Sequence, residues 1–166
     1  SAVIPRDAVD PEIVLGADQV LVGRNTTRRS YNGRIRELLG RGGDVPVADD
    51  ILVCLRNDRK RGLLNGSLWR VAEVRPKRKG LLRYALSAED LASRPKPTVV
   101  SINPAYFDGT ADDLAPTARR RSDAFDFGYV LTVHKAQGSQ WDDVVLFDES
   151  FAFRDNAARW LYTGIT

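Results

Sequence analysis

Residues 129–150 read YVLTVHKAQGSQWDDVVLFDES. Two apolar runs, 129–133 and 144–147, flank the polar stretch HKAQGSQWDD. Runs apolar at consecutive positions, without polar alternation, fit strands of a parallel sheet covered by helices on both faces. Downstream, Asp155 is placed to cap a helix carrying Ala158, Trp160 and Leu161. Upstream, QVLVG at 19–23 is another short apolar run ending in glycine, followed by Arg24 and the capping candidates Asn25 and Thr26. Tyr31, Ile35, Leu38 and Leu39 then recur on one helical face, and Gly40 supplies a stop. Strand, helix, strand, strand and helix in this order define an α/β frame.

The middle of the chain has a different rhythm. Residues 51–55, 67–74, 81–86 and 98–102 are β-rich runs at hairpin spacing, with turn signals at Asn65-Gly66 and Lys79-Gly80. Short strands separated by turns predict a small barrel inserted into the α/β frame. The segments 93–97 (SRPKP) and 108–123 read as loops or return linkers. The expected organisation is a first frame segment at 1–45, an inserted barrel at 46–110, and a return linker with the second frame segment at 111–166.

Composition removes whole classes. With 166 residues, 43% of them hydrophobic, the chain supports an ordinary packed domain with a small insert, and it is too short for a complete two-lobed motor. One cysteine, Cys54, excludes an internal disulfide framework, and a single histidine excludes a Cys/His zinc cluster, so no metal site is expected. A reducing, cytoplasmic setting fits. No apolar run is long enough to span a bilayer, and the start SAVIPRDAVD lacks signal-peptide order, so no membrane role is expected.

The net charge of +3 hides an asymmetry. Ten basic residues against two acidic ones give residues 56–83 a charge of +8, and the rest of the chain carries −5. A basic face beside a polyanion and a solvated hairpin kept soluble by charge both account for this. The strand at 129–133 delivers Thr132, His134, Lys135, Gln137 and Gly138 at its carboxyl end, the edge where open α/β sheets bind ligands. A hydroxyl, an imidazole and an ammonium so close together suit phosphate oxygens, and Gly138 permits close backbone approach. His134 capping a strand end while Thr132 packs inward is the plain structural alternative.

TVHKAQGSQWDDVVL (132–146) resembles motif V of superfamily 1 DNA helicases of the RecD-like group, and QVLVGRNTTRRSYNGRIR resembles the region of their motif IV. RNDRKRGLLNGSLWRV is similar to the start of the SH3-like subdomain inserted in their second motor lobe, and WLYTGIT to the front of motif VI. These likenesses occur in the family's order along nearly the whole chain.

The resemblance implies an incomplete RecA-like, parallel-sheet lobe of the P-loop NTPase type, with an inserted SH3-like β-barrel: the carboxyl-side (UvrD-like C-terminal) motor lobe of an ATP-dependent DNA helicase. Thr132, His134 and Lys135 match positions expected to contact single-stranded DNA. Gly138 and Gln140 match positions near nucleotide, Gln140 standing where glutamate is common, and Arg24 matches a position near the terminal phosphate. Arg28, Arg29 and Arg34 read as a solvated helix face, and Trp69 as barrel core rather than a base-stacking platform. No GxxxxGK[ST] loop occurs, and Asp148-Glu149 follows a strand of the wrong lobe for holding magnesium. The expectation is a piece truncated at both ends that binds neither ATP nor magnesium alone. Its partners would be single-stranded DNA and an amino-side lobe of the same parent, with other subunits of a recombination nuclease such as exodeoxyribonuclease V a further expectation. A non-catalytic nucleic-acid-binding module remains the rival.

Overall fold

The computed structural model describes residues 2–89 and 96–165, so part of the expected loop at 93–97 and the end of WLYTGIT lie outside the described residues. The chain divides into two compact units, Ser1–Ile35 with Tyr129–Thr166, and Arg36–Gly128. The expected segment boundaries were 45/46 and 110/111; the units meet at 35/36 and 128/129.

In the first unit, α1 (Pro11–Gly16) is capped by Asp10, whose carboxylate accepts from Glu12 N–H at 2.9 Å, with proline at the start of the helix. It leads into β1 (Gln19–Val22), buried at every position, and then α2 (Asn25–Leu38). The other strands of this unit come from the far end of the chain, and both pair parallel with β1: Val22 stands opposite Thr132 on one side and Leu21 opposite Leu146 on the other. β1 is therefore the central strand. Val20, Val22, Ile35 and Val130 form the buried core, with Tyr31 and Phe147 meeting edge to face at 4.9 Å.

The buried face of α2 differs from its apolar periodicity. Tyr31 and Ile35 turn inward as expected, but Leu38 and Leu39 are about two-fifths exposed. Polar Thr27, Asn32 and Arg36 are buried in their place because each is hydrogen-bonded. Asn32 uses both ends of its amide on Val130, donating to its carbonyl at 3.0 Å and accepting from its N–H at 3.1 Å. An asparagine in a helix interior thus acts as one more rung of the parallel sheet.

The second unit is antiparallel. β2 (Ile51–Cys54), β3 (Leu68–Arg78), β4 (Leu81–Ala88) and β5 (Thr98–Ile102) follow the expected β-rich runs. Lys79 and Gly80, both at positive φ, make the tight turn between β3 and β4, which the sequence pair predicts. After the short helices α3 (Ala105–Asp108) and α4 (Pro116–Arg120), the second of them within the stretch 108–123 expected to be loop, comes β6 (Phe125–Phe127). β6 pairs with β2, so a strand from beyond residue 110 completes this sheet. The five strands run in the order β5-β4-β3-β2-β6 and form an open sheet, not the closed barrel expected. A parallel bridge between Ile102 and Asp123, with the Ser101 N–H donating to the Asp123 carboxylate at 2.8 Å, joins the two edges. Trp69, Tyr84, Phe125, Leu52 and Leu86 fill the core. Trp69 is a core residue, its indole N–H donating to Ser67 Oγ at 2.8 Å.

The first unit resumes with β7 (Val130–Thr132), the single-turn α5 (Val133–Ala136), β8 (Val144–Leu146), a 3-10 segment (Ser150–Asn156) and α6 (Ala157–Ile165). Trp160 of α6 is buried and stacks on Phe153 at 5.1 Å.

Candidate functional site at the carboxyl edge of the parallel sheet

Because β7, β1 and β8 are parallel, their carboxyl ends share one edge, where Thr132, Gly23-Arg24 and Asp148-Glu149 emerge. Thr132 caps α5, its hydroxyl oxygen accepting from Lys135 N–H at 3.3 Å. That bond uses the oxygen and leaves the hydroxyl proton to donate elsewhere. His134 is exposed on the same turn, its ring 5.8 Å from that of Phe153. Lys135 follows, half-buried. The three residues expected to meet DNA are thus held together by one capped turn at the end of β7.

The centre of the edge is a residue that the sequence reading set aside. Glu149 is fully buried, and its carboxylate accepts five hydrogen bonds. Oε2 takes the N–H groups of Gly23 at 2.8 Å and Arg24 at 3.0 Å. Oε1 takes Thr27 Oγ1 at 2.6 Å and the Arg24 guanidinium at 3.1 Å and 3.0 Å. Burial pushes this carboxyl up, but the bonds from Thr27, Arg24 and Gly23 outweigh it and hold the group below its ordinary range. Gly23 is required by the close packing: a Cβ there would lie 2.9 Å from Glu149 Cβ and from the Phe153 ring. The sequence signal was an acidic residue just past a strand end, opposite a Gly-Arg pair just past another.

Arg24 is therefore a bound arginine rather than a free one. Its side chain stays 50% exposed, lies 5.5 Å from the centroid of the Phe151 ring, and has Nη1 without a partner among the described residues. Gly138, at φ 84, and exposed Gln140 belong to the return connection from α5 to β8, and no hydrogen bond joins either to Arg24. That connection ends at the opposite edge, where the Asp143 carbonyl accepts from Asp18 and Gln19 N–H. Of the three residues expected near nucleotide, Arg24 stands at the carboxyl edge with a half-exposed guanidinium, and Gly138 and Gln140 lie in the connection from α5 to β8. Among the described residues no group of acidic, histidine or cysteine side chains could hold a metal ion, and no helix is long and apolar enough to cross a membrane.

A parallel sheet presenting basic and hydroxyl side chains at its carboxyl edge is the arrangement of an α/β lobe, and that edge is where such sheets bind ligands. Residues 127–166, which contain β7, α5, β8 and α6, match the UvrD-like helicase C-terminal domain. Among solved structures the chain is similar to the Pif1 helicase from Candida albicans, at 15% identity and a TM-score of 0.53, covering 88% of this chain and 42% of that one. It is also similar to a structure described as the basis for DNA unwinding at forked dsDNA by two coordinating Pif1 helicases, at 11% identity and a TM-score of 0.50, covering 85% and 37%. No curated protein sequence matches. The likeness is one of fold: the chain has the fold of part of a Pif1-type helicase and spans about two-fifths of those chains.

Proposed function

We propose that the chain is the carboxyl-side, RecA-like motor lobe of an ATP-dependent DNA helicase, of the superfamily 1 RecD-like kind, acting in the cytoplasm. The five-stranded unit is then the inserted SH3-like subdomain, in open form. The observation that carries this reading is the gathering of Thr132, His134, Lys135 and Arg24 at one sheet edge, with Arg24 fixed by Glu149. Thr132 and His134 would hold a single strand by donating to its phosphates, with Lys135 adding charge. Arg24 would offer Nη1 across the cleft to the terminal phosphate of a nucleotide seated on the other lobe. Hydrolysis of bound ATP, with magnesium, would supply the energy for strand movement. A place in a recombination nuclease such as exodeoxyribonuclease V is the finer form of the same proposal.

In the full-length parent, replacing Thr132 and His134 with alanine is expected to weaken single-strand binding and flatten its salt dependence. Arg24→Ala is expected to depress DNA-stimulated ATP turnover while leaving DNA affinity nearly intact. Normal turnover would reduce Arg24 to a partner of Glu149. One observation favours the rival reading, a non-catalytic nucleic-acid-binding module: Gly138 and Gln140 do not join Arg24 in a hydrogen-bonded group. Under that reading Arg24→Ala leaves turnover unchanged and the DNA effects of Thr132 and His134 persist.

A further inference from the structure

The second unit contains a cleft of about 740 Å³ made by two distant stretches of chain, residues 56–61 with Leu63 and residues 120–125. Arg56, Arg59, Lys60, Arg61, Arg120 and Arg121 line it, against only Asp58 and Asp123. Both carboxylates are already spent on one arginine. Arg61 donates from Nε to Asp58 at 2.8 Å and from its other two nitrogens to Asp123. This fork ties together residues 62 positions apart. Asp58 is accordingly held below its ordinary range, mainly by its bond from the Arg61 side chain.

The remaining cations of the lining find no negative partner among the described residues. Arg56 donates only to the carbonyls of Arg119 and Ser122. Arg59, Lys60 and Arg121 are exposed, and their side chains make no hydrogen bond or ion pair among the described residues. The loop that carries two of them is well defined. Asp58 and Leu63 exchange backbone hydrogen bonds at 2.7 and 2.9 Å, and Gly62 takes positive φ, so Arg59 and Lys60 stand at the tip of a tight turn. Packing like charges on two segments against each other is unfavourable without an anion between them. Phe125, the aromatic residue of the lining, is fully buried, which leaves no aromatic ring in the cleft to stack on a base.

We propose that this cleft is a second nucleic-acid site, one that grips the phosphodiester backbone of a strand without regard to base. It rests on the nucleic-acid part of the reading above and not on its motor part. The test uses the 166-residue chain and labelled single-stranded oligo(dT), followed by fluorescence anisotropy over a salt series. Arg59→Ala/Lys60→Ala/Arg121→Ala is expected to lower the slope of log affinity against log salt by about 2, three cations at about 0.7 each for a single strand, with about a 10-fold or larger loss at low salt. Oligo(dA) should show the same loss. The three side chains hold nothing else in place, so circular dichroism should be unchanged. An unaltered slope overturns the proposal, and so does displacement of the oligonucleotide by inorganic phosphate or ATP at equal phosphate concentration, which would mark a small-phosphate pocket. Repeating the triple substitution on a Thr132→Ala/His134→Ala background separates the two sites. If the sheet-edge pair has no effect while the triple still costs its slope, the edge reading fails and the cleft stands.

Discussion

Glu149→Gln tests the arrangement at the sheet edge most directly. An amide with its oxygen in the place of Oε2 keeps the bonds from Gly23 and Arg24 N–H, but it sets an NH₂ group against Thr27 Oγ1 and two guanidinium nitrogens. The Thr27 hydroxyl turns and accepts; the guanidinium cannot. Arg24 is half exposed, so water replaces much of what it loses, and its two bonds are worth under about 1 kcal/mol each. Removing a buried negative charge from the start of α2 costs about another 0.3–1 kcal/mol. The total is about 2 kcal/mol, or a fall of about 4–8 °C in Tm for a chain of this size. Thermal unfolding followed by circular dichroism at neutral pH measures it. The pH dependence has a definite sign. The folded carboxyl titrates below its ordinary value of 4.5, so its contribution is complete above that value and disappears as pH falls through the folded-state value. The gap between native protein and variant should therefore close on acidification. A variant within about 1 °C of the native protein at neutral pH, or a gap that stays constant into strong acid, refutes this account of the edge.

In the second unit, Asp50 is fully buried and both its oxygens share the Nε–H of buried Arg36 in a bifurcated bond, while the other two nitrogens of Arg36 reach the carbonyls of Gly43 and Val45 and its guanidinium lies 4.2 Å from the Phe127 ring centroid. Asp50→Ala strands that cation and is expected to cost about 3–5 kcal/mol in urea unfolding; a cost below about 1 kcal/mol would show that the carbonyls and ring suffice. Tyr84, hydrogen-bonded to the Pro46 carbonyl at 3.0 Å, is pushed up to about 12, first by burial and then by the Asp50 charge. A raised value means that its contribution is full below the ordinary 10 and is lost as pH climbs toward 12, so phenolate absorbance should show one late tyrosine that Tyr84→Phe removes. Ionisation of Tyr84 near 10 in the folded protein would refute it.

Much of the scaffold is legible from local pattern. Consecutive apolar residues in QVLV mark a buried parallel strand, and Lys79-Gly80 marks a hairpin turn, because burial on both faces and positive φ each leave a trace in adjacent residues. Asn32 and Arg36 leave none, and Glu149 leaves only its place just past a strand end. Each is a polar residue buried by a partner elsewhere in the chain, Asn32 by Val130 and Glu149 by Gly23 through Thr27, and periodicity sorts them to the surface. For the same reason the apolar stripe of α2 was drawn through Leu38 and Leu39, which are largely outside. The open sheet escaped because strand number and spacing say nothing about closure; that depends on where β6 pairs, and its three residues lie far from β2 in sequence.

The place of Glu149 also decides which atoms can serve a phosphate. Helix starts at the carboxyl edge of an α/β sheet attract anions, since their first N–H groups lack partners and carry the positive end of the helix dipole. α2 begins at that edge with no acidic residue in its own first turn. Glu149 supplies the missing negative charge from β8's end of the chain, taking the N–H groups of Gly23 and Arg24 and the Thr27 hydroxyl. The amides just ahead of α2 are consequently satisfied from within, and a phosphate there would have to displace a buried carboxylate. The Arg24 guanidinium, held by the same carboxylate, is still half exposed. An arginine lent across a cleft is compatible with such an edge, whereas a cradle of main-chain amides for a triphosphate is not. The Gly23 and Arg24 amides are therefore closed to a phosphate while Glu149 holds them, and the Arg24 side chain is the half-exposed cation that this edge presents, so Arg24→Ala should weaken any phosphate binding there.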